Sequence, residues 1–505
     1  MTQISTHVAG ARSGTSRTLT TGDRAFLSFT LQYPGEFLEG GVVLCVEDPG
    51  LTERDLRAHV AARLAEAPAL TERLVRPIAS APAPGDVVWQ HDDALDLDYH
   101  VGVVDLPAYS AAGGLRAALD DLATRPLDLE RPLWRLWLLR GHSPTEVAIV
   151  YRFSHIHQDG SAAHQALHLL FGDGHGAARR TLRTFDVPHA RDYARMAASI
   201  ARSLPRTRQL ASWGGPPRGA ARHTWALTEL DRLRRIARRE SVTVNDVYLA
   251  AVAGAVRTWS LPEWTPPTPT GADRSRGAGR IRHAMTRIPR QRAFYTAMPI
   301  NVRTPDEQEV LSNFTLATRV PLPCTEADPR RRLALVAAQT RRAKADGRFG
   351  VVERRMLDRT PPGISPRTFA LMVAAGARPA DTALFTSNVG TMWGPYTVAG
   401  RPVSTLIGIA PMLVGRQHLS AALYGLDGQL CAAFTASASV PGHTELAGHW
   451  LAELAALEGS PRPGPPVATT TPPVPPRPPV IPTPRTAPPQ HTARPDAGRR
   501  SSQVS

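Results

Sequence analysis

A chain of 505 residues, 42% of them hydrophobic, can bury one large core or two ordinary ones, and its length favours two domains. The formal charge of +15 comes almost wholly from arginine, with Lys344 the only lysine. These cations are scattered, without a recognition-helix pattern or zinc-finger spacing, so they indicate affinity for anions such as phosphorylated cofactors, acidic proteins or membrane surfaces, and not for nucleic acid. Cys45, Cys324 and Cys431 lie far apart and form no C-x-x-C pair, which excludes a disulfide framework and a cysteine metal site and fits a reducing cytoplasm. The first residues lack the apolar h-region of a secretory signal, and no apolar run reaches the ~18 residues of a membrane-spanning helix. Peripheral contact with a membrane stays open.

In chain order, residues 1–17 read as a disordered terminus and 18–203 as a first globular half. "GGVVLCVED" (40–48) has the β-branched content of a strand, and "LTERDLRAHVAARLAEAP" follows it with Leu51, Leu56, Val60 and Leu64 at roughly helical spacing and Thr52 as candidate cap. "EVAIVYRFSH" (146–155) is a second strand-like run. The Gly-Pro density of 204–223 marks a connector, and 224–458 a second half. That half opens with "SVTVNDVYLAAVAGAVRTW" (241–259), small polar residues leading into an apolar helix, and carries a strongly basic insert at about 260–292. Residues 459–505 are a Pro-rich basic tail that cannot bury enough apolar surface to order itself. Interleaved strands and helices give an α/β (α+β) class.

The densest chemistry lies in "SHIHQDG" (154–160), where a strand-like run becomes helix-like. His155 and His157 are readable as ordinary histidines beside a turn. H-x-H-x-D resembles the ligand run of metallo-β-lactamase-type hydrolases, but the sixth position is Gly160 and the remaining histidines are scattered. No G-x-S-x-G elbow supports a nucleophile triad. The remaining unit is H-x-x-x-D-G, comprising His155, Asp159 and Gly160, the candidate catalytic set. An imidazole can take a proton from an alcohol or amine as that group attacks a thioester, with no enzyme nucleophile. The aspartate is better placed to hold the turn through an arginine than to touch substrate, and the glycine lets the backbone swing into a helix.

Five further segments resemble, in order, the bacterial wax ester synthase/diacylglycerol acyltransferase family, relatives of chloramphenicol acetyltransferase and of peptide-synthetase condensation domains. They are "LTTGDRAFL" (19–27), "RPLDLERPLWRLWLLRG" (125–141), "VNDVYLAAVAGAVR" (244–257), "MPINVRTPDEQEVLSNFTLATRVPLP" (298–323) and "TSNVGTMWGPYTVAGRPV" (386–403). The family pattern H-H-x-x-x-D-G departs here at Ser154, while the second histidine, the family's base, is His155. The resemblance implies two chloramphenicol-acetyltransferase-like subdomains with a tunnel at their interface. It also implies transfer of a fatty acyl group from acyl-CoA, a co-substrate rather than a cofactor, to a long-chain alcohol or diacylglycerol. Asn245 and Asp246 would support substrate or oxyanion, the competing reading of Asn245 being a helix N-cap in "TVND". Asn313 and Ser387–Asn388 read as groups that satisfy backbone at strand ends. Arg280 and Arg282 in the basic insert are candidate contacts for the phosphates of coenzyme A or for an acyl carrier protein, and the insert is equally readable as a solvated loop. The expected location is cytoplasmic, with peripheral contact at membrane or lipid droplets. The Ser154 departure, the insert and the tail also suit an alternative, a specialised-metabolite acyltransferase forming an ester or amide, fed by a carrier-protein thioester. A binding protein that has lost turnover is a third reading.

Overall fold

The computed structural model describes residues 16–76, 87–173, 206–264, 293–345 and 366–459, apart from five positions inside those ranges, together with residues 189–191, 194 and 354. Most of the basic insert, with Arg280 and Arg282, and the Pro-rich tail lie outside the described residues.

The first half begins with β1 (Arg17–Thr18) and α1 (Thr21–Gln32), whose start is set by a capping box: Thr20 Oγ1 accepts from the Asp23 N–H at 3.1 Å and Asp23 Oδ2 accepts from the Thr20 N–H at 3.0 Å. Next come β2 (Leu38–Val46) and α2 (Glu53–Leu64). α2 has the expected cap at Thr52, and the expected stripe Leu56, Val60 and Leu64 is buried against the sheet. β3 (Glu72–Val75), β4 (Val88–His91), the single turn α3 (Leu97–His100), β5 (Val101–Asp105), α4 (Ala111–Leu122), β6 (Trp134–Arg140), β7 (Val147–Ser154) and α5 (Gly160–Phe171) complete it. All eight residues of β7 are buried, as suits a mostly apolar strand in the middle of a covered sheet, its Arg152 paired with Glu39.

The second half runs through β8 (Ala221–Glu229), α6 (Leu230–Glu240), α7 (Val244–Trp259), β9 (Phe294–Asn301), β10 (Thr315–Leu322), α8 (Pro329–Ala345), α9 (Pro366–Gly376), β11 (Leu384–Thr391), β12 (Thr397–Val398), β13 (Arg401–Leu413), β14 (Leu419–Leu426), β15 (Gln429–Ser437) and α10 (Leu446–Gly459). α7 is the apolar helix expected from the sequence; α8 and α10 pack beside it, and eleven of its residues are buried. Its cap is Thr243, with Asp246 as reciprocal partner, so Asn245 is not the N-cap.

Among the described residues the strands form two large sheets, ordered β12-β13-β2-β7-β6-β5 and β10-β9-β11-β14-β15-β8, and a small one, β1-β4-β3. β12 and β13 lie within 224–458 yet belong to the first sheet, where β13 pairs antiparallel with β2 from Val403↔Val46 to Leu413↔Leu38. The reason lies in the packing. β13 crosses so near the second sheet that a Cβ on Gly408 would fall 2.0 Å from the Tyr424 ring, and the Tyr424 hydroxyl donates to Ile409 O at 3.0 Å. The connector is likewise no loose linker: Thr207 N–H donates to Ala380 O at 2.9 Å, and buried Trp213 stacks on His418 with ring centroids 4.9 Å apart.

Candidate active site

The motif is built where β7 ends. Ser154 N–H donates to Leu133 O, and Ser154 O accepts from the N–H groups of His157 and Gln158, turning the chain back on itself. The Ser154 hydroxyl, standing where the family pattern has its first histidine, accepts from the Ile156 N–H at 3.2 Å and so braces the turn. Asp159 is the N-cap of α5, its Oδ1 accepting from the Ala162 N–H at 2.9 Å.

Asp159 Oδ2 binds across to the second half. It accepts from Arg303 Nη1 at 2.5 Å, from the Phe314 N–H at 2.8 Å and from the Thr315 hydroxyl at 3.2 Å. Both charged side chains are at most 1% exposed. Burial opposes the ionised carboxyl, but the Arg303 charge and the hydrogen bonds outweigh it and hold Asp159 below the usual carboxylate range. These bonds tie the turn to α5 and to the second half, so Asp159 holds the turn through an arginine, as expected of it. Arg303 continues the tie through Nη2, which donates to Val310 O at 3.2 Å and Ser312 O at 2.6 Å. The sequence reading missed this partner although Asn-Val-Arg stands in a quoted segment; which arginine meets the aspartate is decided by a contact 144 residues away.

His155 is gripped at both ends of its peptide unit. Its N–H donates to Leu38 O at 3.0 Å, and its carbonyl accepts from Asn313 Nδ2 at 2.7 Å. Asn313 is fixed in turn by the opening segment: its N–H donates to Asp23 Oδ1 at 2.9 Å, and its carbonyl accepts from the Thr20 hydroxyl at 3.1 Å. Gly22 packs so tightly here that an added Cβ would lie 2.5 Å from Asn313 O. Asp23, the capping carboxylate of α1, also accepts from Trp89 Nε1 at 3.0 Å and the Ser312 hydroxyl at 3.2 Å; burial raises its pKa against the opposing Arg17 charge.

The His155 ring borders a cavity of about 400 Å³ lying between the halves. Phe26, Phe153 and Leu167 wall it from the first half, and Leu316, Phe385 and Val389 from the second. His155 Nε2 has no hydrogen-bond partner among the described residues. Burial pulls the imidazole down to about 4, the nearby Asp159 charge pushing the other way, so the ring is neutral and able to accept a proton at neutral pH. Gly160 also borders the cavity. Its φ is not left-handed, and a Cβ there would meet Val389 at an ordinary 3.7 Å, so the glycine keeps the wall open rather than freeing the backbone as expected.

Other expectations fare differently. Asp246 accepts from the Thr243 N–H at 2.9 Å, the Thr243 hydroxyl at 2.7 Å and the Thr340 hydroxyl at 2.6 Å, and so joins α7 to α8. Asn245 Oδ1 accepts from Asn388 Nδ2 at 3.3 Å, and it is Asn388, with Ser387, that borders the cavity. His157 is fully buried with its ring 4.4 Å from that of Trp89, and burial pulls its pKa down to about 3. With His157 in the core and Asp159 on Arg303, no group of three His, Cys, Asp or Glu side chains capable of holding a metal comes together among the described residues.

His155 thus borders, as a neutral imidazole, an apolar cavity between two α/β halves. The same architecture is found in the wax ester synthase/diacylglycerol acyltransferase from Marinobacter aquaeolei VT8, which aligns over 88% of this chain and 98% of its own with a TM-score of 0.60 at 18% identity. The first condensation domain of the calcium-dependent antibiotic synthetase aligns over 88% and 96% with a TM-score of 0.55, also at 18% identity. Residues 20–213 match the wax ester synthase/diacylglycerol acyltransferase catalytic domain and residues 311–458 the C-terminal domain of the same family, and the chain belongs to that family. A Mycobacterium tuberculosis protein named as a probable diacylglycerol O-acyltransferase is 25% identical over 426 residues, covering 78% of this chain and 85% of its own.

Proposed function

We propose that this chain is an O-acyltransferase that moves a fatty acyl group from acyl-CoA to the hydroxyl of a long-chain alcohol or diacylglycerol, forming wax ester or triacylglycerol, with His155 as general base. The observation that carries the proposal is His155, held neutral by burial and bordering an apolar cavity that both halves contribute to. The acceptor hydroxyl loses its proton to the imidazole while its oxygen attacks the thioester carbonyl carbon. The tetrahedral oxyanion then collapses, the carbon–sulfur bond breaks, and the imidazolium returns the proton to the departing thiolate. No acyl-enzyme forms. Holding both reactants in one cavity removes much of the entropic barrier of a bimolecular step, and the apolar walls keep out the water that would divert the thioester to hydrolysis.

Acyl-CoA is a co-substrate in this scheme, and the reaction draws on no further cofactor. A carrier-protein thioester is a second donor to be compared with it. Wax esters and triacylglycerols are too apolar to leave into water, so peripheral contact with a membrane or lipid droplet is part of the proposal; no helix among the described residues is long and apolar enough to cross a membrane. The test is mass spectrometry of products after incubation with palmitoyl-CoA or palmitoyl carrier protein and a panel of alkanols, diacylglycerols and amines. Esters of alkanol or diacylglycerol are expected. Free fatty acid alone, or amide alone, would overturn the proposal.

A further inference from the structure

Two features that the chemistry of His155 does not use meet at one place on the surface. The first is a slot in the second sheet. β11 pairs with β9 only at Leu384↔Thr296 and Phe385↔Ala297, although both strands run on beyond that point. Continued in register, the ladder would set Pro299 opposite Ser387 and Asn301 opposite Val389, but Pro299 has no N–H to give it and β11 bulges between Asn388 and Gly390. These strand ends border the cavity instead. Several polar side chains elsewhere on its wall are buried and hold the fold, as Thr20 does through Asn313 and Arg354 through Glu307. Asn301 and Asn388, on either side of the slot, border the cavity and are exposed, so the cavity reaches the surface between them. Asn301 Nδ2 donates to the Ser161 hydroxyl at 2.9 Å, which sets the slot beside the start of α5 and the motif.

The second feature is a pair of cations. Asn388 bonds to Asn245 in the first turn of α7, and the next residue, Asp246, bonds to Thr340 of α8. The first turn of α7, about 10 Å across, is therefore what separates the slot from α8. Arg257, in the last turn of α7, donates to Cys324 O just ahead of α8, so the two helices run antiparallel and the last turn of α8 projects past the start of α7. On that turn Arg341 and Lys344 stand three residues apart, on one face. Arg342 points away, roughly 200° round the helix from Thr340. All three are exposed, and none has a hydrogen-bond or ion-pair partner among the described residues. Arg239 and Arg330, by contrast, share Glu240.

We infer that Arg341 and Lys344 dock the phosphates at the nucleotide end of acyl-CoA, and that the slot between β9 and β11 admits its amide-bearing arm towards His155. The inference rests on the acyl-transfer reading above. Shape and charge carry it together. Coenzyme A has phosphates at one end of a long polar arm and the acyl chain at the other; the molecule has unpaired cations outside a slot flanked by side-chain amides, and an apolar cavity inside it. Two cations on one helical turn suit a small phosphorylated ligand, whereas an anionic membrane calls for a wider basic face.

The dipole of α8 favours cations at this end whatever they bind, so the readouts are ones that a structural role leaves unmoved. Lys344 is the only lysine in the chain, and its acetylation by an N-hydroxysuccinimide ester can be followed by peptide mass spectrometry with no acceptor present. Decanoyl-CoA at about ten times its dissociation constant should slow that acetylation about tenfold. Decanoylpantetheine, which has the arm but no phosphate, should not. In ester formation with hexadecanol, Arg341→Ala and Lys344→Ala should each raise KM for decanoyl-CoA about fivefold and leave KM for decanoylpantetheine unmoved. Arg342→Ala, an equal loss of charge on the far side of the helix, should keep both values within about twofold of wild type. A purely structural role would lower the melting temperature and leave both KM values alone. Lys344 unshielded by decanoyl-CoA while ester still forms from it, or an equal rise in KM for both donors, would overturn the inference. Shielding by phosphatidylglycerol vesicles alone, or by decanoyl carrier protein alone, would overturn it too. Lys344 shielded by decanoyl-CoA in an enzyme that forms no ester would instead overturn the acyl-transfer reading and leave the docking site standing.

Discussion

His155 owes its chemistry to what it does not touch. It is held by its backbone, through Leu38 and Asn313, and its Nε2 has no hydrogen-bond partner among the described residues. Because burial lowers its pKa to about 4, the base form persists well below the ordinary histidine range. The profile of kcat/KM against pH should therefore stay level from pH 8 to about 5 and fall only towards 4, as the free enzyme's base is protonated. An acid limb centred near 6.5 would show an imidazole in water-like surroundings and contradict the burial argument. At this scale the sequence was readable in part. H-x-x-x-D-G and its neighbouring segments singled out His155, which borders the cavity, and the turn-holding role of the aspartate followed from carboxylate chemistry. Arg303 and the Asn313 contact did not, because spacing along one strand carries no record of a partner on the far half of the molecule.

Between elements, the tightest coupling is that of α1 to the loop carrying Asn313. The capping box that starts α1 also places Asp23 under the Asn313 N–H, and Gly22 allows the close approach. Gly22→Ala puts a methyl 2.5 Å from a backbone oxygen that has no flexible end to yield. It should cost about 1–3 kcal/mol of stability, and kcat should fall with it because Asn313 holds His155. Thermal melts alongside initial rates check this; a variant with the melting temperature and kcat of wild type would show that the loop shifts freely. α2 and α7 were legible because their caps and apolar spacing are local. The place of β13 was not, since a strand's period reveals its buried face but not which sheet it joins, and β13 pairs with β2 across more than 350 positions.

Over the whole molecule, several buried histidines are neutral when folded. Burial lowers His100, His155 and His164 to about 4 and His157 to about 3. Each takes up a proton in the unfolded chain near pH 6.5 but resists it in the folded one, so the stability it contributes is whole above 6.5 and is lost as pH falls towards the folded value. His157 isolates the effect, since it packs on Trp89 away from the cavity and neither ring nitrogen has a hydrogen-bond partner among the described residues. His157→Phe should be near wild type in melting temperature at pH 8 and increasingly more stable than wild type as pH drops from 6.5 to 4.5. A constant gap across that range would show that His157 is not held neutral. The central claim, however, is that one imidazole between two halves performs direct acyl transfer. Its most direct test is the ester-forming rate of purified His155→Ala with palmitoyl-CoA and hexadecanol at pH 7.5, compared with wild type of equal melting temperature. The expected result is a loss of at least about a hundredfold; a rate within a few-fold of wild type would contradict the account.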